Sequence, residues 1–212
     1  GPADRGVVGG LLQGGAAVCV RENSGVRVAA GLGIRAVQVL DPTLLLDRTD
    51  WESMLPNRRP AGDYVLVYQL HPNKSFERYA VQFARRKGLK LYRVHPYFHH
   101  IVKPGKFVCC PPVQDFLWYI RHARFLLTDS FHGTALAIGL NTQFVDILPS
   151  KYSERNQSVL ELTGLTDRIL QSYEDFSIAD QDIDFERVNR IIREERSRCL
   201  HILKGMIEGT DG

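Results

Sequence analysis

Three short stretches combine residue types that bind anions or move protons, and each stands directly behind an apolar run. His71-Pro72-Asn73-Lys74-Ser75 follows the run ending at Tyr68, and His95-Pro96-Tyr97 follows the run through Tyr92. Thr128-Asp129-Ser130-Phe131-His132-Gly133-Thr134 follows Leu127 and is the richest of the three. Asp129 and Ser130 are residue types that cap helix N-termini, Gly133 permits close backbone approach, and the His132 imidazole titrates near neutral pH. Together these are the parts of an anion site with an acid/base. A plainer reading stays open, in which Asp129 or Ser130 simply caps a helix and His132 makes a core hydrogen bond.

The surrounding sequence supplies elements to hold these stretches. Tyr64–Leu70 is rich in β-branched and aromatic residues, Lys74–Lys87 has helical spacing with Gly88 behind it, and Leu89–Val94 reads as a strand. The alternation continues: Phe107–Cys110 as strand, Val113–His122 as helix, Phe125–Thr128 as strand, Gly133–Leu140 as helix, Gln143–Leu148 as strand. Strands separated by helices of this length predict βαβ units and a parallel sheet covered on both faces. In such a sheet ligands gather at the carboxyl ends of the strands, where all three stretches fall.

Upstream, Ala16–Val20, Ser24–Leu32 and Ala36–Leu40 read as strand, helix and strand, ended by Asp41-Pro42. The breaker-rich stretch 51–62, with Pro56, Pro60 and Gly62, is expected to connect two domains, residues 1–50 and 63–183. Residues 184–212 carry apolar positions suited to a long amphipathic helix, Val188, Ile191, Ile192, Leu200 and Leu203 among them.

Lys plus Arg number 27 against 24 Asp plus Glu, without a dense basic run, so nucleic acid is not an expected partner. The longest apolar stretches are far shorter than the roughly 20 residues that span a bilayer, and a secretory pattern is absent from the opening residues. A cytoplasmic protein is expected. Cys19, Cys109, Cys110 and Cys199 form no C-x-x-C pair and are expected to be reduced, mostly buried thiols, since neighbours such as Cys109-Cys110 rarely bridge without strain. His95, His99 and His100 invite a zinc reading. It is the less favoured one, because Pro96 interrupts the stretch and no carboxylate stands near. The basic run Arg85-Arg86-Lys87 is expected at a helix end, complementing the carbonyl terminus, and Trp118 and Tyr119 in the core. The chain opens Gly1-Pro2 without an initiator Met, the pattern of a protease scar, and is read as a piece of a longer protein.

The run from Thr128 to Ala135, with Gly139, Asn141 and Phe144 behind it, resembles the signature of the polysaccharide pyruvyl transferase family. So do Val20-Arg21-Glu22-Asn23-Ser24-Gly25 and Asp41-Pro42-Thr43-Leu44-Leu45-Leu46, in the same order. The resemblance implies a Rossmann-like α/β fold, here the C-terminal domain of a GT-B-like architecture. Residues 1–50 would be a remnant of the N-terminal domain, with the final helix packing back toward it. The implied reaction is transfer of a pyruvyl group from phosphoenolpyruvate to sugar hydroxyls of a cell-surface polysaccharide or its precursor. No metal or further cofactor is implied.

On that resemblance His132 is the expected catalytic acid/base. Ser130, Gly133 and Thr134 would hold the donor anion, with positive charge or hydrogen bonds from Arg21, Lys74 and His71. Asp129, His95, Tyr97 and Arg155 would face the acceptor, a sugar or a lipid-linked oligosaccharide handled at the inner face of a membrane. The sequence departs from the family where better-characterised members carry Arg-Leu-His-Gly: here Ser130 replaces the arginine. A GT-B-like glycosyltransferase with another donor, or a non-catalytic sugar- or partner-binding domain, is the alternative. Self-association is expected if Val18, Val20, Val37 and Val39 lack partner strands.

Overall fold

Tyr64-Val65-Leu66-Val67-Tyr68 leaves no polar residue to face water, as a strand buried on both faces requires. In the computed structural model, which describes residues 18–59, 62–151 and 153–208, it is the central strand of a five-stranded sheet. The chain divides into two compact units, Leu46–Asn189 and a smaller one formed by Gly1–Leu45 with Arg190–Gly212.

The larger unit opens with α2 (Arg48–Ser53) and then builds β3 (Tyr64–Tyr68), α3 (Lys74–Arg86), β4 (Lys90–His95) and β5 (Lys106–Cys109). It continues with α4 (Val113–Arg121), β6 (Phe125–Thr128), α5 (Phe131–Leu140), β7 (Phe144–Asp146) and α6 (Glu154–Thr163). The strand order is β5-β4-β3-β6-β7, and every pairing is parallel. The chain moves from β3 outward to β4 and β5, then returns to add β6 on the other side of β3. The carboxyl ends of β3 and β6 therefore flank the topological switch point.

Alternate residues of β3 face opposite layers. Val65 and Val67 pack with Phe76, Tyr79 and Phe83 of α3 and with Phe125, Leu127 and Val145. Tyr64 stacks on Tyr92 at 4.5 Å between ring centroids and meets Tyr119 edge-on, while Tyr68 lies 4.8 Å from Phe116. Each large apolar side chain buried this way contributes about 2–3 kcal/mol. The sequence of α5, Phe-His-Gly-Thr-Ala-Leu-Ala-Ile-Gly-Leu, is apolar almost all round, and nearly the whole helix is buried. Trp118 is buried, with Arg58 stacked 4.4 Å over its ring.

The smaller unit pairs β1 (Val18–Val20) with β2 (Ala36–Gln38) in parallel across α1 (Asn23–Ala30). Residues 16 and 17 of the expected first strand lie outside the described residues. The same unit takes in the later part of α7 (Phe185–Glu208), where Leu40 N–H donates to Cys199 Sγ and Arg196 Nε to Leu44 O.

The stretch 51–62 begins with the end of α2, a helix started by a capping box in which Asp47 and Asp50 exchange side-chain and backbone bonds. Val18, Val20 and Val37 have partners in the β1–β2 pair, and Val39 N–H donates to Val20 O. Of the four thiols, Cys199 alone is buried and Cys110 is exposed.

Candidate active site at the switch point

Tyr68 and Thr128 are register partners at the ends of β3 and β6. The Thr128 hydroxyl donates to Tyr68 O at 2.7 Å and accepts from Ser130 N–H at 3.1 Å, so it bolts the turn to the neighbouring strand. Ser130 is the N-cap of α5, its Oγ facing Gly133 N–H at 3.4 Å. The first turn of the helix therefore sits hard on the sheet. A Cβ on Gly133 would meet Thr128 Oγ1 at 2.5 Å and Tyr68 Cδ1 at 3.1 Å.

Asp129 does not cap the helix. Its carboxylate is 4% exposed and reaches across the switch point, accepting from Leu70 N–H at 2.7 Å and His71 N–H at 2.9 Å. His71 Nδ1 stands 3.1 Å from the same oxygen that holds its own amide. Asp129 thus ties the β3–α3 loop to the β6–α5 turn as a structural clamp.

Below α5 lies a second buried acid. Asp146, at the end of β7, is 0% exposed and accepts from Thr134 Oγ1 at 2.5 Å and Asn156 Nδ2 at 2.8 Å through one oxygen. Its other oxygen is buried without a partner among the described residues. Burial pushes the Asp146 carboxyl up to about 6; the charge of Asp129 adds to this, and the bonds from Thr134 and Asn156 oppose it.

Ser130, Gly133 and Thr134, whose backbone N–H groups and serine hydroxyl are the expected holders of the anion, are all buried. Thr134 sends its hydroxyl to Asp146 and its amide to Ser130 O. The amides of Phe131 and His132 lie in the helix's first turn, where no intrahelical acceptor exists. His132 is exposed, so the reading of it as a core hydrogen-bonding residue does not hold. Its ring meets Phe131 edge-on at 5.3 Å, and the Arg155 guanidinium of α6 lies 5.6 Å over the Phe131 ring. The fold thus brings one cation to the same turn as His132.

Lys74 opens α3 and is exposed, behind the Asn73 cap that accepts from Ser75 and Phe76 N–H. His95 is buried and its Nδ1 accepts from Tyr97 N–H at 3.0 Å, so it braces its own loop; Tyr97 is 63% exposed. Arg21 belongs to the smaller unit, where Asp41 holds its guanidinium. The described residues contain no group of three or more His, Cys, Asp or Glu able to hold a metal, and the side chains of residues 99 and 100 lie outside them. Beside the turn, a cavity of about 280 Å³ is lined by Ile147, Gln157, Leu170, Ser172 and Tyr173 without a charged side chain. Tyr173 Oη accepts from Asn73 Nδ2, which sets one wall against the start of α3.

A fold of this kind hosts many unrelated functions, and the family model decides among them: that of the polysaccharide pyruvyl transferase family matches residues 10–152. The chain belongs to this family. Its members are transferases. Among solved structures, the chain is similar to a UDP-N-acetylglucosamine 2-epimerase from Rickettsia bellii, with 13% identity and a TM-score of 0.54 over 91% of this chain and 60% of that one. It is also similar to the Methanocaldococcus jannaschii UDP-GlcNAc 2-epimerase in complex with UDP-GlcNAc and UDP, with 15% identity and a TM-score of 0.50 over 89% of this chain and 61% of that one. At such identities the likeness establishes the Rossmann-like, GT-B-type fold. The chain spans about three fifths of the length of those structures. No curated protein matches the sequence.

Within this pyruvyl transferase family member, sequence reasoning passed over Tyr68. Its phenol sits beside Ser130, with which it shares a side-chain hydrogen bond; burial and the Asp129 charge hold its pKa above the usual range, so it remains a proton donor. An aromatic at the last position of a switch-point strand was the available signal. Asp146 and Asn156 were also unmarked as a pair, ten residues apart and joined only by the packing of α6.

Proposed function

We propose that this chain carries one half of a pyruvyl transferase site, in which phosphoenolpyruvate and two hydroxyls of a sugar give a pyruvate ketal and inorganic phosphate. The observation that carries the reading is the exposed His132 on the first turn of α5, with Arg155 beyond Phe131, in a chain of this family. An anion at a helix N-terminus is stabilised by the amides and the helix dipole together. Phosphate or carboxylate of the donor is held there, with Arg155 and Lys74 supplying the positive charge that Ser130 does not.

The chemistry needs one proton delivered to the methylene carbon and one carried away with phosphate. The two sugar hydroxyls supply both as they attack the former enol carbon. His132, and Tyr68 behind it, relay these protons. The neutral cavity beside Tyr173 is suited to a sugar ring, which presents hydroxyls rather than charge. Asp129 and Asp146 act indirectly, by fixing the loop and the helix start.

Phosphate release from phosphoenolpyruvate by the full-length protein, measured with candidate glycans and lipid-linked oligosaccharides, tests this. Replacing His132 with Ala should lower the rate by about 10²–10⁴-fold with folding intact; an unchanged rate overturns the role of His132. The second reading rests on Ser130 being a buried cap without charge. It predicts that the wild type releases no phosphate with any acceptor yet retains sugar binding.

A further inference from the structure

We propose that Cys109 and Cys110 form a vicinal dithiol that peroxides convert reversibly to a disulfide, and that this oxidation releases the loop behind β4. The two sulfurs lie 3.8 Å apart, in free thiols that are half-buried and exposed respectively. Cys110 adopts φ 42°, a left-handed conformation uncommon for a residue with a Cβ, which turns its side chain back over the end of β5. Both thiols converge on one acceptor, Pro96 O, at 3.0 Å from Cys110 and 3.9 Å from Cys109. Cys109 is the register partner of His95, and Cys110 N–H donates to His95 O. The pair therefore sits on the hinge of the 95–97 loop, at the carboxyl edge of the sheet.

The chemistry balances with a peroxide as oxidant. Cys110 thiolate attacks the peroxide O–O bond, giving a sulfenic acid and water; Cys109 thiolate then attacks that sulfur and expels a second water. Two thiols and one hydrogen peroxide become one disulfide and two waters. Adjacent Cα atoms are about 3.8 Å apart, below the usual span of a bridged pair, so the product is strained and easily reduced. That strain makes the modification reversible rather than structural. Before oxidation Cys110 S–H donates to Pro96 O; the disulfide has no S–H, so the carbonyl loses its tether.

Hydrogen peroxide treatment of the chain, followed by alkylation and mass spectrometry, should show the tryptic peptide from Phe107 to Arg121 lighter by two hydrogens, restored by dithiothreitol. Phenylarsine oxide, whose arsenic bridges two close thiols, should protect both cysteines from iodoacetamide in the wild type and leave Cys109 open to it in Cys110→Ser. Hydrogen exchange at Tyr97 should rise on oxidation. Sulfinic acid at Cys110 with Cys109 still alkylatable, or disulfide-linked dimers, overturns the proposal. Unchanged exchange at Tyr97 after disulfide formation overturns the loop release.

Discussion

The position that a Gly133 Cβ would occupy lies 2.5 Å from Thr128 Oγ1, an oxygen already fixed between Tyr68 O and Ser130 N–H. Glycine is required because helix and strand approach too closely for any side chain. The clash in Gly133→Ala should cost about 1–3 kcal/mol against the about 1 kcal/mol that alanine gains in helix propensity, a net destabilisation of up to about 2 kcal/mol. A thermal shift would read this. In a double-mutant cycle with Thr128→Ala the two losses should be less than additive, since removing the hydroxyl removes the clash.

Asp129→Ala strands two backbone donors at Leu70 and His71. Each unsatisfied donor costs about 1–3 kcal/mol when it stays buried, so a loss of roughly 2–4 kcal/mol is expected in denaturant unfolding. Faster hydrogen exchange at those two amides, with exchange in β7 unchanged, would locate the effect in the clamp.

Asp146 gives a pH signature of known sign. Its folded value is raised from 3.8 to about 6, so between these values the folded state binds the extra proton and stability falls as pH rises. Asp146→Asn keeps an acceptor for Thr134 and Asn156 and removes the ionisation. Variant and wild type should therefore share this contribution below pH 4. They should diverge toward pH 7, the variant gaining on the order of 3 kcal/mol. Parallel stability curves from pH 4 to 7 would exclude the buried charge.

Arg155→Ala should weaken inorganic phosphate binding by about tenfold. Phosphate titration followed through the His132 ring signals would measure it. A wild type whose His132 signals do not move has no anion site at this turn.

Tyr68→Phe should keep donor binding near wild type and lower the turnover of the full-length protein, because it removes a proton donor without charge. A rise in KM alone would make Tyr68 a packing residue.

The sequence by itself determined the strand–helix alternation. Phe125–Thr128 is a strand as read, and Lys74 and Val113 begin helices as read, because burial on both faces and end-capping residues are local signals. It also marked the 128–134 turn and the family. It missed α2, whose capping box of Asp47 and Asp50 lay in plain view just ahead of a breaker-rich stretch, and α5 begins two residues earlier than its glycine suggested because Ser130 is the cap.

The division of labour within the turn was decided only by tertiary structure. Residues adjacent in sequence point opposite ways once a helix starts: His132 to the surface, Gly133 onto Thr128, Thr134 down to Asp146. Asp129 became a clamp because the return of β6 beside β3 placed Leu70 and His71 within its reach, 59 and 58 residues away along the chain. Arg155 reached Phe131, the neighbour of His132, through a ring contact that no spacing announces. Local propensity acts over a few residues, whereas the partner of a buried polar group is chosen by the strand order, and the strand order is a property of the whole chain.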